Sequence, residues 1–203
     1  MKIAVIGAGN VGGTLGKAWA KIGHQVLIGV RDAASPKVQA LVRSLPGNAS
    51  IDTITNACAF GEMVLLAVPG SAVEAVVEAQ AKKLVGKIVI DAVNRVGAPE
   101  MNSTAILAAK APSARVFRAF NSAGWEVFAN PRFGDIQADL FYCGPEGSAR
   151  RSVEGLIADV GLHPVYVGTL EQVKLVDAIG ALWMNQAFGQ MLGRQFAFKL
   201  LTR

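Results

Sequence analysis

The sequence predicts an α/β fold, a doubly wound and mainly parallel sheet with a short C-terminal helical extension. Three observations predict it. Short apolar runs such as Ile3–Ile6 and Glu62–Val68 alternate with segments of helical periodicity along most of the chain. The first run leads directly into Gly7-Ala8-Gly9-Asn10-Val11-Gly12, a glycine turn between strand and helix. From Leu170 to Leu200 the apolar positions cover more than one helical face, the pattern of a helix buried on both sides.

The chain opens on Lys2–Ile6, whose Ile3-Ala4-Val5-Ile6 has the look of a buried parallel strand. The next six residues match G-x-G-x-x-G, and after them Leu15, Ala18, Trp19 and Ile22 recur at helical spacing. Each glycine has a physical task. Gly7 allows the tight turn, Gly9 lets backbone approach a pyrophosphate, and Gly12 lets helix pack on strand. The first helical turn offers unpaired N–H groups and a positive dipole end to phosphates. In this strand–turn–helix setting the pattern reads as the Rossmann-type dinucleotide fingerprint, with Gly7, Ala8, Gly9, Asn10, Val11 and Gly12 as the expected cofactor-binding residues; a plain strand-to-helix turn is the alternative.

Gly23-His24 ends that helix and Gln25–Gly29 forms the second strand. In NAD-binding versions a carboxylate near this strand's end holds the ribose 2′-hydroxyl. Val30 stands there, and Arg31 follows. An arginine suits a 2′-phosphate, so the reading favours NADP(H) over NAD(H). A register slip of two would place Asp32 at the ribose; otherwise Asp32 is a turn residue. Lys37, on the following helix, is a second candidate for the phosphate, a solvated surface lysine being the alternative.

Ser35-Pro36 opens the next helix, with Val38, Leu41, Val42 and Leu45 on its apolar face. Ala49-Ser50-Ile51 is a short strand, and Thr53 or Thr55 caps a helix through Ala59. Glu62–Val68 is the next buried strand, stopped by Val68-Pro69. Ser71–Gln80 is helical, Lys87–Ile90 a strand ending in Asp91, Thr104–Ala109 a short helix and Arg115–Ala119 a strand followed by Phe120-Asn121. Asp139–Cys143, Pro145–Val160 and His163–Val167 complete the alternation as strand, helix and strand. The expected division is a Rossmann domain over 1–168 and a helical extension over 169–203 that forms a homodimer interface. In this architecture ligands bind beyond the carboxyl ends of the strands. That rule brings Gly7–Gly12, Val30-Arg31, Ala67-Val68-Pro69, Ala92-Val93-Asn94 and Phe120-Asn121 to one site.

With 203 residues, 52% of them apolar, the chain is long enough for one domain with a large core. No apolar run reaches the length of a membrane span. The strand begins at once after Lys2, so no signal peptide is expected. The net charge of +5 is scattered, without the basic, aromatic-interleaved patch of a nucleic-acid binder. Cys58 and Cys143 stand far apart and read as buried thiols of a reducing, cytoplasmic setting. His24 and His163 lack partners at metal-ligand spacing, so no metal site is expected.

Taken together, Gly7–Gly12, Gly23-His24, Val30-Arg31-Asp32, Leu66-Ala67-Val68-Pro69, Asp91-Ala92-Val93-Asn94 and Phe120-Asn121 resemble the NADPH-dependent oxidoreductases of the deazaflavin coenzyme F420. The resemblance covers essentially the whole chain. It implies an NADP-binding Rossmann domain with a small C-terminal extension, and hydride transfer between NADPH and the deazaflavin ring. Related domains in membrane ferric reductases pass electrons from NADPH to ordinary flavin. Two positions depart from the family pattern. Val30 replaces a small hydroxylated residue before the arginine, which leaves Arg31 more alone. Asn94-Arg95 replaces Asn-Pro, and Arg95 either faces solvent or meets an anionic tail on the second substrate.

Hydride transfer between stacked rings asks the protein to bind, orient and exclude water. No Ser/His/Asp set, Lys-Asn pair or paired carboxylate suggests acid–base machinery, so no catalytic residue is assigned. Ala67, Val68 and Pro69 are expected to flank the nicotinamide. Asn94 and Asn121 either bind carboxamide or acceptor, or tie down their own turns. Trp125 either covers the acceptor ring or is a core aromatic. The expectation is an NADPH-dependent reductase of coenzyme F420 or a flavin-like acceptor. The alternatives are a small imine or keto reductase and a non-catalytic NADP(H)-binding or sensing module.

Overall fold

The computed structural model describes all of residues 1–203. Six strands come first: β1 (Lys2–Ile6), β2 (Gln25–Val30), β3 (Ala49–Thr53), β4 (Met63–Leu66), β5 (Ile88–Asp91) and β6 (Arg115–Arg118). A hairpin the sequence did not announce follows, β7 (Arg132–Phe133) with β8 (Ile136–Gln137). Then come β9 (Asp139–Cys143) and β10 (His163–Gly168). The connecting helices are α1 (Asn10–Lys21), α2 (Pro36–Val42), α3 (Ile54–Phe60), α4 (Val73–Leu84), α5 (Thr104–Lys110), α6 (Trp125–Ala129) and α7 (Ser148–Asp159). The last helix is α8 (Val173–Met184).

The main sheet runs β10-β9-β6-β5-β4-β1-β2-β3. Every pairing in it is parallel except β6 with β9, which meet antiparallel at Arg118 opposite Cys143. After β1 the chain first builds outward to β2 and β3, then returns to add β4, β5 and β6 on the other side. The order therefore reverses between β1 and β4, and this topology opens a crevice at their carboxyl ends.

Strand alternation divides the core into two layers. Ile3 and Val5 point to one layer with Leu15, Trp19, Phe117, Phe120 and Phe128. Ala4 and Ile6 point to the other with Val64, Leu66, Val73, Val77 and Val89. Polar ties fix the helices over these layers. The Trp19 indole N–H donates to the Leu156 carbonyl at 2.9 Å, joining α1 to α7. Thr53, the first of the two expected caps, accepts from the Asn56 N–H at 3.1 Å and starts α3. Lys87 closes the other end of α3 by donating to the carbonyls of Cys58 and Gly61.

The C-terminal segment is helical only in its first half. α8 passes into a π-helical turn at Asn185–Gly189 and ends there. Met191 and Gly193 then take positive φ values of 56° and 80°, and the chain folds back without regular structure. Trp183 holds the returning chain: its ring stacks on Phe196 at 5.5 Å, and its N–H donates to the Phe196 carbonyl. The second apolar face of α8 is thus partly covered by the chain's own tail. Lys199 and the Leu200 N–H bind the buried Asp139 carboxylate at 2.7 and 2.6 Å, and Arg194 grips Glu126 through two bonds. No helix is long and apolar enough to cross a membrane.

Candidate functional site

The crevice at the carboxyl ends of β1, β2 and β4 holds a cleft of about 390 Å³. Its floor is the glycine turn. Gly7 has φ of 113°, and a Cβ there would strike the Ala67 carbonyl. A Cβ on Gly12 would strike the carbonyl of Gly7. These two glycines let the first turn, α1 and the β4 loop close on one another. Gly9 differs: nothing lies within 4 Å of where its Cβ would stand. α1 begins at Gly9 without a side-chain cap and without an acid in its first turn. Its leading N–H groups therefore face open space, and a diphosphate fits the cradle that a Cβ on Gly9 would fill. Ala8 lines the same cleft, Val11 packs on the core behind it, and Asn10 is exposed.

At the β2 end of the cleft, Val30 pairs with Thr53 and forms half-buried wall. Arg31 follows, exposed and lining the cleft. Asp32 closes its own turn: Oδ1 accepts the Ala34 N–H at 2.9 Å, and the Ser35 hydroxyl donates to the Asp32 carbonyl at 3.3 Å. Lys37 lies just inside α2, and Ser35 lines the cleft beside it. One carboxylate engaged with backbone is thus outweighed by two cations. Ser35 was legible in the sequence only as a helix opener. Gly29, also in the wall, owes its place to packing, because a Cβ there would press on Ile54 and Ala57.

At the β4 end, Ala67, Val68 and Pro69 form an uncharged wall. Asn94 is not in this cleft. Its Nδ2 donates to the Asn121 carbonyl at 3.0 Å and its Oδ1 accepts from Arg118 at 2.7 Å, so both ends of its amide are engaged within the protein. Asn121 is buried, donates to the Val176 carbonyl at 3.4 Å, and lines none of the large clefts. It follows Phe120, whose φ of 59° is strained for a bulky residue. The Phe120 ring is locked edge-on against Trp19 and Phe128 at 5.8 and 5.6 Å. Trp125 lines a neighbouring cleft between α1 and α2, beside Gly9, Asn10, Lys17 and Lys37. The structure therefore gathers the glycine turn, Arg31, Asp32, Lys37 and Ala67-Val68-Pro69, and leaves Asn94, Asn121 and Trp125 outside that cleft.

Sequence reasoning missed the buried ion network behind the site. Arg118 is wholly buried. Its Nε donates to Asp177 at 2.8 Å, and its Nη1 to the carbonyls of Asp91 and Val93. Asp91 accepts the N–H groups of Val93 and Ser103 at 3.1 and 2.6 Å and lies 3.5 Å from Arg118. Asn102 donates to the second Asp177 oxygen at 2.7 Å. Burial pushes the Asp91 carboxyl above its ordinary range, against the pull of Arg118 and the two N–H groups. No group of three or more His, Cys, Asp or Glu residues is placed to hold a metal ion.

Residues 2–95 match the family model described as NADP oxidoreductase coenzyme F420-dependent. The chain is 26% identical over 183 residues to the metalloreductase STEAP3 of Rattus norvegicus. That match takes in 88% of this chain but 36% of the relative, so the chain spans about a third of that protein's length. Among solved structures, a candidate F420-dependent NADP-reductase from Arthrobacter sp. FB24 superposes with a TM-score of 0.84 at 23% identity, covering 100% of both chains. An imine reductase from Streptomyces aurantiacus gives a TM-score of 0.74 at 22% identity, covering 95% of this chain and 63% of its own. These structures share the fold. The residues matched by that family model, 2–95, include the glycine turn, Arg31 and Pro69.

Proposed function

We propose that this protein transfers a hydride between NADPH and a deazaflavin or flavin ring. The observation that carries the reading is the polarity of the cleft: Arg31, Ser35 and Lys37 at one end, and the uncharged Ala67-Val68-Pro69 wall at the other. The cationic end would hold the 2′-phosphate, the α1 N-terminus the diphosphate, and the Pro69 wall the nicotinamide. When bound, NADPH supplies the hydride from its nicotinamide ring. The protein's part is to hold that ring against a flat acceptor and keep water away. A deazaflavin or flavin suits such a wall, because its ring spreads the charge it receives. An imine needs a proton during reduction, and no titratable side chain stands in the Ala67–Pro69 wall to give it.

The test is NADPH oxidation, followed by loss of its absorbance, with deazaflavin, FMN, FAD and riboflavin offered in parallel. Turnover with one of these rings and none with cyclic imines is the expected result. Tight NADPH binding without turnover by any ring would overturn it in favour of a sensing module.

We also infer a homodimer through α8. Leu175 and Leu182 on α8, and Phe188, Met191 and Leu192 after it, remain exposed, apolar surface that a second copy would cover. Light scattering at micromolar concentration should give the dimer mass, and Leu182→Glu should halve it.

A further inference from the structure

We propose that Arg95 selects the electron acceptor by binding a phosphate carried on a flexible chain attached to the acceptor's ring. The inference rests on the hydride-transfer reading above and adds the substrate class. On the far side of Pro69 from the cofactor cleft lies a second cleft of about 430 Å³, lined by Gly70, Ser71, Asn94, Arg95, Val96 and Ala98. Pro69 and Gly70 are consecutive, so the two clefts share a wall. A ring stacked at Pro69 can extend a chain into this second space.

Arg95 is built into the second cleft. Its N–H donates to the Met101 carbonyl at 2.8 Å, and its own carbonyl accepts the Ala98 N–H at 3.0 Å. Gly70 packs so tightly that a Cβ would come within 2.8 Å of the Arg95 Cα. The preceding residue, Asn94, is anchored by Arg118. The base of the side chain is therefore fixed, but its guanidinium is nearly free. Its one hydrogen bond, to the Asn102 carbonyl, is 3.5 Å long, and no carboxylate lies within ion-pair distance. Arg118, Arg150 and Arg194 by contrast each hold an acid. Arg95, half-buried and without a counter-ion in a cleft that Ser71 also lines, presents a forked set of donors that matches a phosphate.

The experiment compares FMN with riboflavin, the same ring with and without a phosphate. Binding to NADP⁺-saturated protein is read from flavin fluorescence, which needs no turnover. FMN should bind roughly tenfold or more tightly than riboflavin, the scale of one charge-assisted interaction. Arg95→Met should erase that difference while leaving riboflavin binding unchanged, and Arg95→Lys should keep part of it. Equal binding of the two flavins, a preference that survives Arg95→Met, or no binding of either would overturn the proposal. Turnover separates the two readings. An Arg95-dependent FMN preference without NADPH oxidation would sink hydride transfer alone. Equal reduction and equal binding of both flavins would sink the role of Arg95 alone.

Discussion

The Arg118 guanidinium donates to the Asp177 carboxylate at 2.8 Å in a setting closed to solvent. One bond thus ties α8 to β6, and through Asn94 the same arginine braces the loop next to the cofactor cleft. Removing the arginine strands two acids, Asp91 and Asp177, in the interior. Arg118→Met should therefore cost about 3–5 kcal/mol, the usual penalty for breaking a buried ion pair. Urea denaturation measures it, and a loss under about 1 kcal/mol would mean the network is dispensable.

Gly9 and Gly12 stand in one motif but should fail differently. Gly9 has open space overhead and ordinary extended φ and ψ, so Gly9→Ala should fold with stability within about 0.5 kcal/mol of the parent. The new methyl would occupy the diphosphate cradle, and NADPH affinity should fall sharply. Gly12→Ala would drive a methyl into the Gly7 carbonyl and should lower the melting temperature itself. Paired calorimetry and NADPH titration distinguish the two outcomes.

Arg31→Ala tests the 2′-phosphate assignment. NADPH binding should weaken by about 1.5–3 kcal/mol, the worth of a hydrogen bond to a charged group. NADH binding should stay nearly constant, and an equal loss for both cofactors would move the phosphate elsewhere.

Acid should release the tail before it unfolds the sheet. Burial pushes the Asp139 carboxyl up, but the bonds from Lys199, the Leu200 N–H and His163 outweigh it and hold the group below its ordinary value. Glu126 follows the same balance, with Arg194 prevailing over burial. A carboxylate whose folded value is depressed stabilises the protein above its unfolded pKa, and that contribution drains away as pH falls through the folded value. The window therefore lies below about pH 4. Trp183 fluorescence should change there as Phe196 leaves its ring. Asp139→Asn should loosen residues 194–203 at neutral pH, read as faster amide exchange.

The parts of this molecule that were legible in the sequence are those written locally. Strand, glycine turn and helix follow one another within a few residues at Lys2–Lys21, and so do Val30-Arg31 and Val68-Pro69. Asn94 could be read as a ligand group or as a residue tying down its own turn, and the partners that engage its amide, Arg118 and the Asn121 carbonyl, come from β6 and the loop after it. The tail misled for a related reason. Its apolar residues fit a helix as well as they fit a strip laid against Trp183, and only the fold shows that Asp139 waits to receive Lys199. The half-buried Arg95 and the fully buried Arg118 carry the same side chain, and nothing near them in sequence marks which one has counter-ions.

The antiparallel joint between β6 and β9 carries a mechanical meaning. On either side of it the sheet is a continuous parallel ladder, but at the joint Arg118 faces Cys143 as a lone register pair. This is a seam, with β9, β10 and α7 forming a panel on its far side. The rivets across it are the Arg118–Asp177 bond and the Asp139-bound tail. The first fracture of the molecule should therefore run lengthwise along that seam, parting the panel from an intact half built on β1 to β6.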